Sequence, residues 1–281
     1  MCARSAPRSR PQRRSRSTEY DREPSVTRRP IRVLATLAAA LLPLCSAAAG
    51  YVDLPGGTIR SVVAGDATGG QVSVAPFSMR TMPVTRAEFA RFLAANPNWK
   101  PGTVPRVFAD AGYLADWPAT GALPAGRSEQ PVTRVSWFAA QAFCESEGAR
   151  LPTWNEWEFV AAADASRADA RDDPAWKARI LSWYSRPAAA ELPAVGGDPN
   201  VYGLRDLHGL VWEWTEDFNA LLVNGDSRSS DDPDKLKFCG AGAINLQQRD
   251  NYAVLMRVAL LSSLKASDST ASLGFRCVRA H

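Results

Sequence analysis

The sequence predicts an α+β fold with little regular secondary structure and long packed loops, and three observations carry that expectation. Strand-like stretches are short and sit only near residue 51, around "VWEW" and at the C-terminal end. Helical apolar spacing appears in brief segments, each behind a capping residue. Between them run 98–130 and 164–200, rich in Pro, Gly and polar residues without sustained periodicity. No internal repeat is visible, and this mix fits neither a β-sandwich nor a doubly wound sheet.

The elements follow in order. "YVDLPGGTIRSVV" and "QVSVAPFSM" read as two strands around a turn containing Gly65, Gly69 and Gly70. In "TMPVTRAEFARFLAANP", Thr85 and Glu88 form a capping box, Phe89, Phe92 and Leu93 an apolar face, and Asn96-Pro97 the stop. Ser136 caps a second helix whose Ala139, Ala140, Phe143 and Cys144 face inward, closed by Gly148. Thr153 and Glu156 open a third. "VYGLRDLHGLVWEWTEDF" reads as a turn entering a buried strand, "YAVLMRVALLSSL" as a core segment, and "LGFRCVRA" as a final strand.

Residues 1–49 read differently. Arg-rich and nearly without apolar residues up to Arg28, the leader then gives Arg28, Arg29 and Arg32 before an apolar run from Val33 to Leu44. That run is short for a bilayer span, and Ala47 and Ala49 supply a small-x-small cleavage pattern. This is the pattern of an export signal, with a loose twin-arginine match in "TRRPIR", and it predicts a periplasmic or secreted domain over 50–281. The leader holds 10 of 33 basic and 3 of 29 acidic side chains, leaving 23 and 26, so net +4 becomes net −3. The basic balance therefore argues for no nucleic-acid partner, and nothing after the leader reads as a transmembrane helix. Of five cysteines, Cys144, Cys239 and Cys277 remain after residue 49, enough for one disulfide and one thiol in an oxidising compartment.

Four segments, "MPVTRAEF", "PVTRVSWFAAQAFCESEGARLPTWNEWEFVAAA", "GLRDLHGLVWEWTED" and "ASLGFRCVRA", together resemble the formylglycine-generating enzyme (sulfatase-modifying factor) family, in the family's order. The resemblance implies that family's fold, related to C-type lectins. It also implies a disulfide between Cys144 and Cys277, which in the chain-entropy model stabilises by about 4–5 kcal/mol. It places Trp212, Glu213 and Trp214 in the structural core, with a calcium ion held by the preceding loop. There Gly209-Leu210 replaces the family's Gly-Asn, so one oxygen ligand is lost, and calcium needs several. A buried Glu213 needs a cation, donors or a metal, and Arg257 is the candidate cation.

Formylglycine generators use two cysteines five residues apart to hold copper(I), a soft ion suited to thiolates. Those positions fall near Asn245 and Asp250 here, and neither is a cysteine; Cys239 lies six residues upstream of the first. With only His208 and His281, a His-ligated iron centre like that of sulfur-transferring relatives cannot be built either. His208 reads as a hydrogen-bonded loop residue, and Glu216 and Asp217 as solvated neighbours on an exposed turn. The candidate pocket is polar: Asn245, Gln248, Arg249, Asp250 and Arg257, with Cys239 nearby. It suits a small polar ligand or a periplasmic protein partner, or is a solvated loop. No metal or cofactor is assigned beyond the calcium that the resemblance implies. The function expected is an exported accessory, maturation or ligand-binding protein without formylglycine-generating activity. The alternative is a divergent oxidoreductase of the same family, acting on a periplasmic protein or secreted metabolite.

Overall fold

Proline decides how the N-terminal strands are built. The computed structural model describes residues 50–61, 63, 70–186, 191–221 and 252–281, with side chains from residue 254 in the last stretch. Where two strands were expected there are four: β1 (Tyr51–Leu54), β2 (Gly57–Arg60), β3 (Gln71–Val74) and β4 (Phe77–Arg80). β1 pairs antiparallel with β4, Leu54 opposite Phe77, and β2 with β3, Gly57 opposite Val74. Both ladders keep one register, so this is a single long hairpin broken at Pro55-Gly56 and Ala75-Pro76. Proline has no N–H to give a ladder, and one on each arm interrupts it at the same level. Gly56 is required there: its φ is +68°, and a Cβ would lie 2.3 Å from the Val74 carbonyl oxygen.

Beyond the break, β4 is buried along its whole length and also pairs antiparallel with β7 (Val278–Ala280), giving a three-stranded sheet in the order β1-β4-β7. The expected final strand is likewise split. β6 (Leu273–Gly274) pairs in parallel with β5 (Trp212–Glu213), Glu213 opposite Gly274, before the chain continues into β7.

Side-chain caps set the helix starts. Thr85 and Glu88 exchange hydrogen bonds at the head of α1 (Arg86–Ala95), and Thr153 and Glu156 do so at α3 (Trp154–Ala161). Ser136 accepts from the Ala139 amide to open α2 (Trp137–Ser146), and Gly148 follows it at φ +66°. The reading of 164–200 as a bare connection is corrected: it contains α4 (Pro174–Tyr184). Asp173 accepts from the amides of Ala175 and Trp176, and Pro174 takes the first helical position, where a missing N–H costs nothing. The core segment after residue 251 is a helix, α5 (Tyr252–Ser262), which packs against α4. Residues 98–130 are turns apart from a 3₁₀ turn over Pro97–Trp99.

The main core gathers α1, α2 and the C-terminal segment. Phe89 stacks on Phe143 at 5.9 Å between centroids, and Phe275 meets both edge-on at 6.1 and 5.4 Å. Beside them Cys144 and Cys277 form a disulfide across 133 residues, tying α2 to the chain just before β7. A second cluster, with Leu54, Phe77, Met79, Trp157 and Phe159, fills the space between the hairpin and α3.

Candidate functional site

The segment "VWEW" sits over a buried charge cluster. Glu213 in β5 is fully buried, and so is Arg276. Arg276 donates through Nε to Glu213 Oε2 and through one terminal nitrogen to Oε1, each at 2.8 Å, and Trp157 Nε1 donates to Oε2 at 2.7 Å. The remaining guanidinium hydrogens reach backbone carbonyls, including Arg205 O at 2.8 Å. The expectation that Arg257 neutralises Glu213 is therefore corrected. Gly274 faces Glu213 in the parallel pair, and Arg276, two residues on, is delivered to the carboxylate by that ladder. Arg257 reaches only the Glu213 backbone carbonyl, at 3.1 Å.

Arg257 is also not a surface reader of ligands. It is 1% exposed, with its guanidinium 3.4 Å from the centroid of Trp157 and its nearest carboxylate oxygen on Glu158, at 3.9 Å from Nε. Burial pushes the Glu158 carboxyl up to about 7, against the opposing pull of Arg257 and Arg171. So α3 and α5 place an acid that titrates near neutrality against a guanidinium held on an indole face.

His208 hydrogen-bonds through Nε2 to the Ala161 carbonyl at 3.1 Å, which fixes Nε2 as the protonated nitrogen. The edges of Trp157 and Trp176 enclose its ring, and burial, with Arg257 adding repulsion, pushes it down to about 3. A histidine so held stays neutral. Asp217, expected to be simply solvated, instead accepts from the Trp154 amide at 2.8 Å and caps α3, while exposed Glu216 lies 3.5 Å from Arg150.

Two clefts open near these groups. One, of 430 Å³, is lined by residues that include Asp164, Asp206 and His208. Two of its acids are engaged, Asp164 by Arg167 and Asp206 by the amides of Gly196 and Gly197, while Asp198 is exposed. The other, of 290 Å³, is walled by Trp183 and Tyr184 at the end of α4 and by Trp212 of β5, with Leu210, Ser272 and Arg186 around them. Tyr184 stacks on Trp212 at 4.6 Å and 25°, and Trp183 lies 5.2 Å from Trp212. Trp212 is thus half-buried cleft wall, whereas Trp214 is wholly buried and donates to the Val135 carbonyl at 3.0 Å.

Of the candidate pocket, Cys239, Asn245, Gln248, Arg249 and Asp250 lie outside the described residues. Sequence reasoning missed Glu158, Trp183, Tyr184 and the role of Arg276. The aromatic pair in "ILSWYSR" was a signal for the cleft, but it fell in the helix read as a loop.

Neither metal of the family fits the residues present. The disulfide takes Cys144 and Cys277, leaving Cys239 as the remaining cysteine after residue 49, so there is no dithiol for copper(I). For calcium, both Glu213 carboxylate oxygens are held by Arg276 and Trp157, and Leu210 offers an alkyl group. Among the described residues no group of three or more His, Cys, Asp or Glu could hold a metal ion, and no helix is long and apolar enough to cross a membrane.

The chain is similar in sequence to several known proteins. The formylglycine-generating enzyme of Streptomyces coelicolor is 32% identical over 171 residues, which cover 54% of this chain and 53% of that protein. This chain thus matches about half the length of that relative. An inactive C-alpha-formylglycine-generating enzyme 2 of Mus musculus is 30% identical over 58% of this chain and 67% of that protein. Among solved structures, PvdO from Pseudomonas aeruginosa superposes with a TM-score of 0.47 at 17% identity, covering 84% of this chain and 96% of that one. The model of the sulfatase-modifying factor enzyme 1-like domain matches residues 41–281, and this chain belongs to that family.

Proposed function

We propose that this protein is an exported accessory or ligand-binding member of its family, without formylglycine-generating activity. One observation carries the reading: the disulfide uses two of the three cysteines after residue 49, and one thiol cannot make a soft two-thiolate copper site. The similarity to a relative named as inactive supports it. Export is supported by the leader pattern and by the disulfide, a bond that persists outside a reducing cytoplasm. The scaffold then serves to hold a binding surface, and the aromatic cleft of Trp183, Tyr184 and Trp212 is the described surface best formed for it.

Metal analysis and thiol titration of the purified protein without its leader (residues 50–281), with and without added copper(I), test this. One reactive thiol, no stoichiometric metal and no oxygen consumption with a cysteine-containing peptide are expected. Stoichiometric copper bound at Cys239, with turnover, would replace this reading with a divergent oxidoreductase.

A further inference from the structure

We infer that the cleft at the junction of α4 and β5 is a recognition site for a planar aromatic molecule carrying one anionic group. The inference rests on the binding reading above and names the ligand class. Its wall is three rings in mutual contact: Tyr184 on Trp212 at 4.6 Å, Trp183 on Trp212 at 5.2 Å, and Trp183 beside Tyr184 at 5.0 Å. All three are half-buried, so part of each ring remains open to a ligand while the rest is fixed by its neighbours. Rings locked in this way lose little freedom when a flat ligand stacks on them. Leu210 is buried and floors the cleft, whose 290 Å³ suits a small ligand.

The polar lining sets the sign of the ligand. Arg186, two residues past Tyr184, is exposed at the rim; among the described residues it forms no ion pair and no carboxylate lines the cleft. The nearest acid in sequence, Glu191 beside Leu192, is occupied by Arg127 at 3.5 Å and by Gln130 at 3.2 Å. Across the mouth, the Trp212 amide donates to the Ser272 carbonyl at 2.8 Å, which fixes the backbone carrying the Ser272 hydroxyl. An aryl ring on the wall with a carboxylate toward Arg186 and Ser272 would use the cation and the aliphatic hydroxyl of the described lining. A guanidinium–carboxylate contact at such a rim supplies orientation as well as attraction.

Isothermal titration of the purified protein with indole-3-acetate tests the inference. Saturable binding in the millimolar range or tighter is expected, weakened about tenfold for the neutral indole-3-acetamide and for the non-aromatic cyclohexylacetate. Arg186→Gln should lower affinity for indole-3-acetate about tenfold and leave that for the acetamide unchanged, and Trp183→Leu should weaken both. Arg186 is exposed, so its replacement leaves the fold intact and the comparison valid even if the tryptophan variant folds poorly. Absence of saturable binding, equal affinity for the three probes, or indifference to Arg186→Gln would each overturn the inference. The binding reading stands or falls separately on the metal and thiol analysis: no copper together with an empty cleft refutes the ligand class alone.

Discussion

Replacing Glu213 with glutamine changes almost no volume but removes the charge that Arg276 needs. In the native protein both side chains are fully buried and share two 2.8 Å hydrogen bonds, with a third to the carboxylate from Trp157 at 2.7 Å. A glutamine can accept at one oxygen only, and its amide turns a donor toward a guanidinium that is itself all donors. Arg276 would be left charged with one neutral glutamine oxygen at most and backbone carbonyls, the best of them Arg205 O at 2.8 Å. Breaking a buried pair by removing one partner costs about 3–5 kcal/mol. In a protein of this size that lowers Tm by about 6–20 °C, at roughly 2–4 °C per kcal/mol. The assay is urea and thermal unfolding with the disulfide intact, comparing Glu213→Gln, Glu213→Leu, Arg276→Met and the double Glu213→Leu/Arg276→Met. The double variant should be less destabilised than the sum of its parts, since an apolar pair leaves no stranded charge. Strict additivity, or a loss below ~1 kcal/mol for Glu213→Gln, would refute the claim that this pair is isolated from solvent.

Three further outcomes are expected. Glu158 has its pKa raised to about 7 in the fold from 4.5, so the folded state holds a proton that the unfolded state has lost. Its contribution is therefore complete below about pH 4.5 and lost as pH rises to about 7, about 3 kcal/mol in all; Glu158→Gln should remove this part of the pH dependence in denaturant titrations at pH 4 to 8. Cys144→Ser with Cys277→Ser opens a link across 133 residues and should cost about 2–5 kcal/mol in urea unfolding, with no further change on adding reductant. Thr153→Ala removes the side-chain half of the α3 capping box and should cost about 1 kcal/mol by the same measurement, while Asp217 still holds the Trp154 amide.

Legibility in the sequence followed distance along the chain. Thr85–Glu88, Ser136 and Thr153–Glu156 could be read because a cap and its helix lie within four residues. Asp173-Pro174 carried the same local signal, an acceptor followed by a residue that needs none, yet the polar surroundings hid it and α4 with it. The cleft was lost for that reason, since two of its three rings end the missed helix. The hairpin break was written in Pro55 and Pro76, but only their alignment across the register shows that both fall at one level. Which arginine neutralises Glu213 could not be read at all. The choice between Arg257 and Arg276 is made by the parallel pairing of residues 61 apart in sequence, and both candidates are equally plausible as charges.

That pairing also bears on how the family's scaffold could outlive its copper chemistry. The fold is tied by Cys144 to Cys277, by Glu213 to Arg276 and by the packing of α1 and α2 on Phe275. None of these contacts uses the positions where the copper cysteines would stand, near Asn245 and Asp250. On the proposed reading, the absence of two thiolates there would leave in place the buried charges and the disulfide, whose loss would cost several kcal/mol each. Once Leu210 replaces an amide and both Glu213 oxygens are committed to protein donors, the segment "LVWEWTED" contributes a half-open tryptophan rather than ion ligands. The ion pair and the pairing with β6 both anchor β5, the strand that presents Trp212 to Trp183 and Tyr184, so the buried charges act one residue away from the cleft wall.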